Sequence, residues 1–178
     1  MRRILMTWEL GMNLGHLARL LPIATKLKAQ GHAVLVATRD VAAAATVLGP
    51  AGISFIQAPH LPQGIALAHR PTGYADILLS QGWANRETLW GLTQSWINLY
   101  RMFRPDTLVL DYSPTARLAA HIAQLPCVLI GNGFELPPAT DPLPAFPSFS
   151  WATLEKAAES ERLALANAKA VASTFRAS

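Results

Sequence analysis

Apolar runs of strand length alternate with stretches of helical periodicity along this 178-residue chain. Residues 2–8 open with an apolar run that predicts a buried strand, followed by a turn holding Gly11 and Gly15. Leu17, Leu20, Leu21, Ala24 and Leu27 then recur at helical spacing, and Gly31 is placed as the left-handed residue closing that helix. Residues 33–38 predict a second strand, Asp40 can cap a short alanine-rich helix through Leu48, and residues 53–56 predict a third strand. Near-continuous apolar strands joined by helices imply a parallel sheet covered on both faces.

Residues 57–71 carry Pro59, Pro62 and Pro71 without periodicity and predict a loop on the ligand side of the sheet. Helices are expected over 74–81 and 85–103. The second places Leu89, Leu92, Trp96, Leu99 and Phe103 on one core-facing stripe. The pattern resumes with a strand at 107–111, a helix at 115–124 and a strand at 127–130. A proline-rich segment over 136–147 cannot be helix or central strand, and a helix over 151–170 closes the pattern. Right-handed crossovers carry the first three strands outward, and the chain returns to set the fourth beside the first. The expectation is a Rossmann-like α/β domain over 1–178 with a parallel sheet of order 3-2-1-4-5 and helices on both faces.

Composition narrows the function classes. Half the residues are apolar and 15% are charged, as in a globular chain. No apolar run reaches the roughly 18 residues of a membrane span. Glu9 interrupts the opening apolar run too early for a secretory signal, so the expected compartment is the cytoplasm. Cys127 is the only cysteine, which excludes intrachain disulfides and cysteine-based zinc sites; its apolar surroundings predict a buried, inert thiol. The net charge of +4 is spread over separate basic pairs, with no run of the nucleic-acid-binding kind. It suits solubility first, and would also suit an anionic substrate or peripheral contact with an acidic membrane face.

Ligands of such sheets settle where the strand order reverses, beyond the ends of strands one and four. His16 stands in the first helical turn after strand one, and Asp111 ends strand four. Adjacent strands lie about 4.8 Å apart, so the two side chains can meet. A neutral imidazole oriented by a carboxylate can take a proton from a substrate hydroxyl. The plainer readings are that His16 is a surface or capping residue and that Asp111 caps the next helix. His32, His60, His69 and His121 are not spaced as a metal set and read as structural or exposed. The turn lacks G-x-G-x-x-G and G-x-x-x-x-G-K-[ST], and the chain lacks G-x-S-x-G, which argues against dinucleotide, phosphate-loop and α/β-hydrolase sites.

With Gly15-His16, the segment GHAVLVAT over 31–38 and RPDTLVLD over 104–111, the chain resembles the N-terminal half of GT-B glycosyltransferases. It is most similar to the group of UDP-glucosyl/glucuronosyltransferases and bacterial macrolide and rhamnosyl transferases. The resemblance implies an acceptor-binding domain in which His16 is the base and Asp111 its support. It implies transfer of a hexose, with inversion, from a UDP- or dTDP-linked nucleotide-sugar co-substrate to a small or lipid-like acceptor. It places Met12, Asn13 and Gly15, with Asn132, Gly133 and Phe134, around the acceptor, and it implies no metal ion. Family members commonly carry proline three residues after the histidine, where Arg19 stands, so the rim differs or admits an anionic acceptor. The C-terminal donor domain is absent from this sequence. That implies a fragment, an interrupted reading frame or a separate C-terminal partner, and doubtful activity for the chain alone. The alternatives are a non-catalytic binding or partner module, a nucleotide-sugar epimerase or a lipid-linked GlcNAc transferase, with a dehydrogenase-like domain last.

Overall fold

The computed structural model describes residues 1–133 and 135–176. Contacts divide the chain into two compact units, residues 1–60 with 93–136 and residues 61–92 with 137–178. The first holds β1 (Arg3–Trp8), α1 (Gly15–Ala29), β2 (Ala33–Thr38), α2 (Val41–Val47) and β3 (Ser54–Gln57). The second holds α3 (Tyr74–Leu78), and the division falls within α4 (Arg86–Phe103). The first unit resumes with β4 (Thr107–Asp111), α5 (Pro114–Ile122) and β5 (Cys127–Ile130), and the second ends with α6 (Leu154–Arg176).

All strand pairs are parallel and the order is β3-β2-β1-β4-β5, as the alternating pattern predicts. Ile4, Met6 and Trp8 of β1 share one face and pack with Leu17, Leu20 and Ala24 of α1, and Val109 of β4 packs against the same cluster. Side chains alternate along a strand, so Asp111, two residues beyond Val109, faces α1 as well. Asp40 caps α2 through an Oδ1 that accepts from the Ala43 N–H at 2.9 Å, as expected. Gly31 takes the expected left-handed conformation after α1, at φ 81°.

Cys127 corrects a sequence expectation: it is exposed. The apolar run around it forms β5, which pairs only with β4 among the described strands, and its first two residues are exposed. An apolar run marks a strand, but only its place in the sheet decides whether both faces are covered. The sheet's coverage is likewise incomplete at β3, where three of the four residues are exposed.

The second unit has its own polar centre. Asp76 in α3 is fully buried, and its Oδ2 accepts from the Thr72 N–H at 2.5 Å, the Thr72 hydroxyl at 2.7 Å and the Gly73 N–H at 3.2 Å. Its Oδ1 accepts from the Ser160 hydroxyl of α6. Burial alone would raise the carboxyl's pKa, but these bonds outweigh it and hold Asp76 below the usual carboxylate range. Ala157, Ala164, Ala168 and Val171 form the buried stripe of α6 on either side of Ser160. The helix therefore runs over 154–176, not 151–170, and leaves Trp151 in the preceding segment. The predicted helix over 74–81 stops at Leu78 and gives way to a wide turn over 79–83. Gly82 in that turn has φ +102°, and a Cβ there would meet Thr88 and Leu61 at 3.0 and 3.1 Å, so only glycine fits.

Replacing Asp76 with alanine leaves several buried donors without an acceptor, so Asp76→Ala should destabilise the chain by roughly 2–4 kcal/mol. Urea unfolding measures this, and amide exchange in α3 and α6 should accelerate first. A loss below about 1 kcal/mol would contradict the role assigned to this carboxylate.

Candidate active site at the ends of β1 and β4

Trp8 and Asp111 are register partners on adjacent strands, and the chain turns sharply after each. Tyr112 follows β4 with a positive φ of 46°, an uncommon conformation for a non-glycine residue, and its carbonyl accepts from the Leu10 N–H at 3.0 Å. The two loops are thereby tied together. His16 lies one residue into α1, and its Nδ1 stands 3.0 Å from Asp111 Oδ1. The ring is stacked by Trp8 at 5.1 Å between centroids and by Tyr112 at 6.1 Å. His16 is 4% exposed and Asp111 fully buried. Gly11, at φ +89°, is required here, because a Cβ at this position would lie 2.5 Å from His16 Nε2.

Two further charges complete the cluster, and sequence reasoning did not place either in it. Arg19, one turn along α1 from His16, donates through Nη1 to Asp111 Oδ1 at 2.6 Å and to Glu135 Oε2 at 2.8 Å. Glu135 Oε2 also accepts from the Asn132 N–H at 2.6 Å, while Oε1 lies 3.7 Å from His16 Nε2. Burial acts to raise the Glu135 pKa, yet the Asn132 N–H and the Arg19 guanidinium hold it below the usual carboxylate range. Burial acts to lower that of Arg19, and its two carboxylate partners raise it instead. Both are therefore ionised near neutrality. Three ligand atoms of His16, Asp111 and Glu135 lie within 4.8 Å of one another, a spacing that suits a metal ion. Arg19 already supplies a cation to both carboxylates, so a metal would have to displace a paired guanidinium. Asp111 Oδ2 is buried and has no hydrogen-bond partner among the described residues.

Comparison with solved structures agrees with this arrangement of sheet and helices. A glycosyltransferase of kitacinnamycin superposes with TM-score 0.51 and 20% identity over 73% of this chain and 30% of its own. SsfS6, a glycosyltransferase from Streptomyces sp. SF2575, gives 0.52 and 22% over 74% and 39%. SnogD, a glycosyltransferase from Streptomyces nogalater, gives 0.50 and 25% over 74% and 34%. The fold is that of the GT-B glycosyltransferases. This chain spans between 30% and 39% of the length of these three proteins. No protein-family model and no curated protein matches the sequence.

On this glycosyltransferase fold, the residues expected to hold an acceptor are distributed unevenly. His16 and Asp111 meet as the crossover in strand order requires. Met12 is 89% exposed, and Asn13 folds its side chain back to accept from the Gly15 N–H at 3.1 Å. Asn132 and Gly133 are exposed, with Asn132 contributing its backbone to Glu135; Phe134 lies outside the described residues. Arg19 is paired through Nη1 with the carboxylates of Asp111 and Glu135. A signal was available in the sequence: an arginine one helical turn from the histidine, on the same face, with unassigned carboxylates elsewhere. Among the described residues no helix is long and apolar enough to cross a membrane.

Glu9 takes the capping role that Asp111 was thought able to play. It is 1% exposed, and its Oε2 accepts from the backbone N–H groups of Thr115 and Ala116 at 3.0 and 3.2 Å, in the first turn of α5. Sequence reasoning had used it only as the residue that interrupts an apolar run. Burial pushes its pKa up from 4.5 to about 7, although the helix N–H groups and the Thr115 hydroxyl act in the other direction. A carboxyl raised on folding contributes stability that is full below about pH 4.5 and declines as pH rises through about 7. Glu9→Gln removes that titration and keeps an acceptor oxygen for α5. Between pH 5 and 8 the wild type should lose roughly 3 kcal/mol relative to this variant. Urea midpoints measured across the range provide the check, and parallel profiles for the two proteins would contradict it.

Proposed function

We propose that residues 1–178 form the acceptor-binding half of an inverting, nucleotide-sugar-dependent glycosyltransferase, with His16 as general base and Asp111 as its support. The observation that carries this reading is the 3.0 Å contact between His16 Nδ1 and Asp111 Oδ1 at the point where the strand order reverses. A carboxylate at Nδ1 keeps the ring proton there and leaves the lone pair of Nε2 for the substrate. Nε2 takes the proton of an acceptor hydroxyl while its oxygen bonds to the anomeric carbon of a UDP- or dTDP-linked hexose. The bond from that carbon to the diphosphate breaks on the opposite face, and the nucleotide diphosphate leaves with the electron pair.

The charges around the ring support this direction of proton flow. Asp111 and Glu135 carry two negative charges against the one positive charge of Arg19, so the imidazolium formed on proton abstraction brings the cluster to balance. Glu135 Oε1 stands where an acceptor hydroxyl would approach Nε2, at 3.7 Å, so the acceptor binds by displacing it. In this reading the loops carrying Met12, Asn13 and Gly15, and Asn132 to Phe134, surround a small or lipid-like acceptor. A donor domain outside this chain holds the nucleotide, and the protein works in the cytoplasm.

The test uses this chain together with a donor domain. His16→Ala should lower kcat by about 10²–10⁴-fold, the usual worth of general-base assistance. Near-normal turnover by that variant would refute the assignment. The burial of His16 to 4% favours a second reading, a non-catalytic module of the same fold whose imidazole is structural. In that case His16→Ala lowers the unfolding midpoint and leaves the activity of the assembly intact.

A further inference from the structure

The second unit contains a cavity of about 610 Å³, within the size range of small-molecule sites. Its lining includes Leu79 and Leu163, the ring of Trp151, and the side chains of Arg70, Lys156 and Ser160. Trp151 is held in place from two sides. It stacks on Phe149 at 4.6 Å, which meets Phe146 edge-on at 6.0 Å, and its indole N–H donates to the Pro71 carbonyl at 3.2 Å. A fixed aromatic wall is thus built by the segment that its prolines exclude from helix and strand.

The neutral polar groups of this lining are already committed. The hydroxyls of Thr72 and Ser160 both donate to Asp76, which is itself fully buried, and His69 lies 3.7 Å from the same carboxylate. The cations are not committed in this way. Neither Arg70 nor Lys156 forms an ion pair with a described carboxylate, even though Glu159 stands three residues from Lys156 on α6. The Arg70 guanidinium lies over the Trp151 ring at 5.0 Å from its centroid. A guanidinium stacked by its face keeps its edge N–H donors available to a carboxylate or sulfonate. Against two such cations the lining offers one carboxylate, that of Glu159.

We propose that this cavity binds an amphipathic organic anion, with a ring-bearing apolar body against Trp151 and Leu163 and an acidic head on Arg70 and Lys156. Every residue involved belongs to the second unit, and the inference is independent of the role of His16. Binding alone is measured, so the proposal can fail while the transferase reading stands, and the reverse.

The chain is titrated with 8-anilinonaphthalene-1-sulfonate and with N-phenyl-1-naphthylamine, a neutral compound with the same aromatic body. Saturable 1:1 binding of the sulfonate is expected, about 10-fold tighter than that of the neutral probe, as two partly exposed ion pairs would give. The double variant Arg70→Gln/Lys156→Gln should lose that preference without changing the neutral probe's affinity. Trp151→Ala should weaken both probes. Glu159→Gln should tighten the sulfonate, a gain that misfolding cannot mimic. Absence of saturable binding, equal affinity for the two probes, or indifference to the double variant or to Trp151→Ala would overturn the proposal.

Discussion

The Asp111 carboxylate is the constraint on which the first unit's site depends. It sits at the end of a central strand, wholly shielded from water, where an unbalanced charge would cost several kcal/mol. α1 answers it twice, with the ring nitrogen of His16 and the Arg19 guanidinium meeting the same oxygen. They lie three residues apart, so one helical face delivers both groups. The helix can do so only because β1 and β4 are neighbours in register, with Trp8 opposite Asp111. Sheet order, helix phase and charge compensation are therefore one arrangement seen at three scales.

Around that carboxylate the local backbone is shaped to admit the ring. Gly11 leaves room where any side chain would collide with Nε2, and Tyr112 adopts a left-handed conformation that binds one loop to the other. Trp8 and Tyr112 then stack on the imidazole, which leaves it little freedom to rotate. Glu9 fastens the start of α5 to the same loop through two backbone bonds. The orientation of the imidazole is thereby set by the fold itself.

The larger features were legible in the sequence because they rest on periodicity. Apolar runs separated by helical repeats specify a parallel sheet, and the handedness of crossovers specifies its order. That His16 can meet Asp111 follows from that order; that it does so depends on the phase of α1 as well. Arg19 and Glu135 were not legible as a pair, since they are 116 positions apart and join only when the β5 loop returns toward α1. Glu9 misled for another reason: a carboxylate in an apolar run reads as an interruption until its partners, more than 100 positions away, are known. Cys127 differs, because the predicted order already sets β5 at the edge of the sheet; its apolar run reads as buried only when composition is weighed without that order.

Two buried aspartates among the described residues, Asp76 and Asp111, are satisfied in different ways. Asp76 is surrounded by uncharged donors that answer both of its oxygens, and all of them lie within its own unit. Such a carboxylate gains nothing from exchanging partners and serves as a fixed joint between α3 and α6. Asp111 is answered by a titratable ring and a guanidinium, both on one oxygen, while the other oxygen has no partner among the described residues. A buried polar atom without a partner costs about 1–3 kcal/mol, and Thr7, Gln81 and Trp96 each carry such an atom among the described residues as well. The unpartnered oxygen belongs to the same carboxyl group that holds the imidazole. The two carboxylates thus differ in the kind of partner they hold, one in a closed set of neutral donors and the other beside a titratable ring at the reversal of strand order.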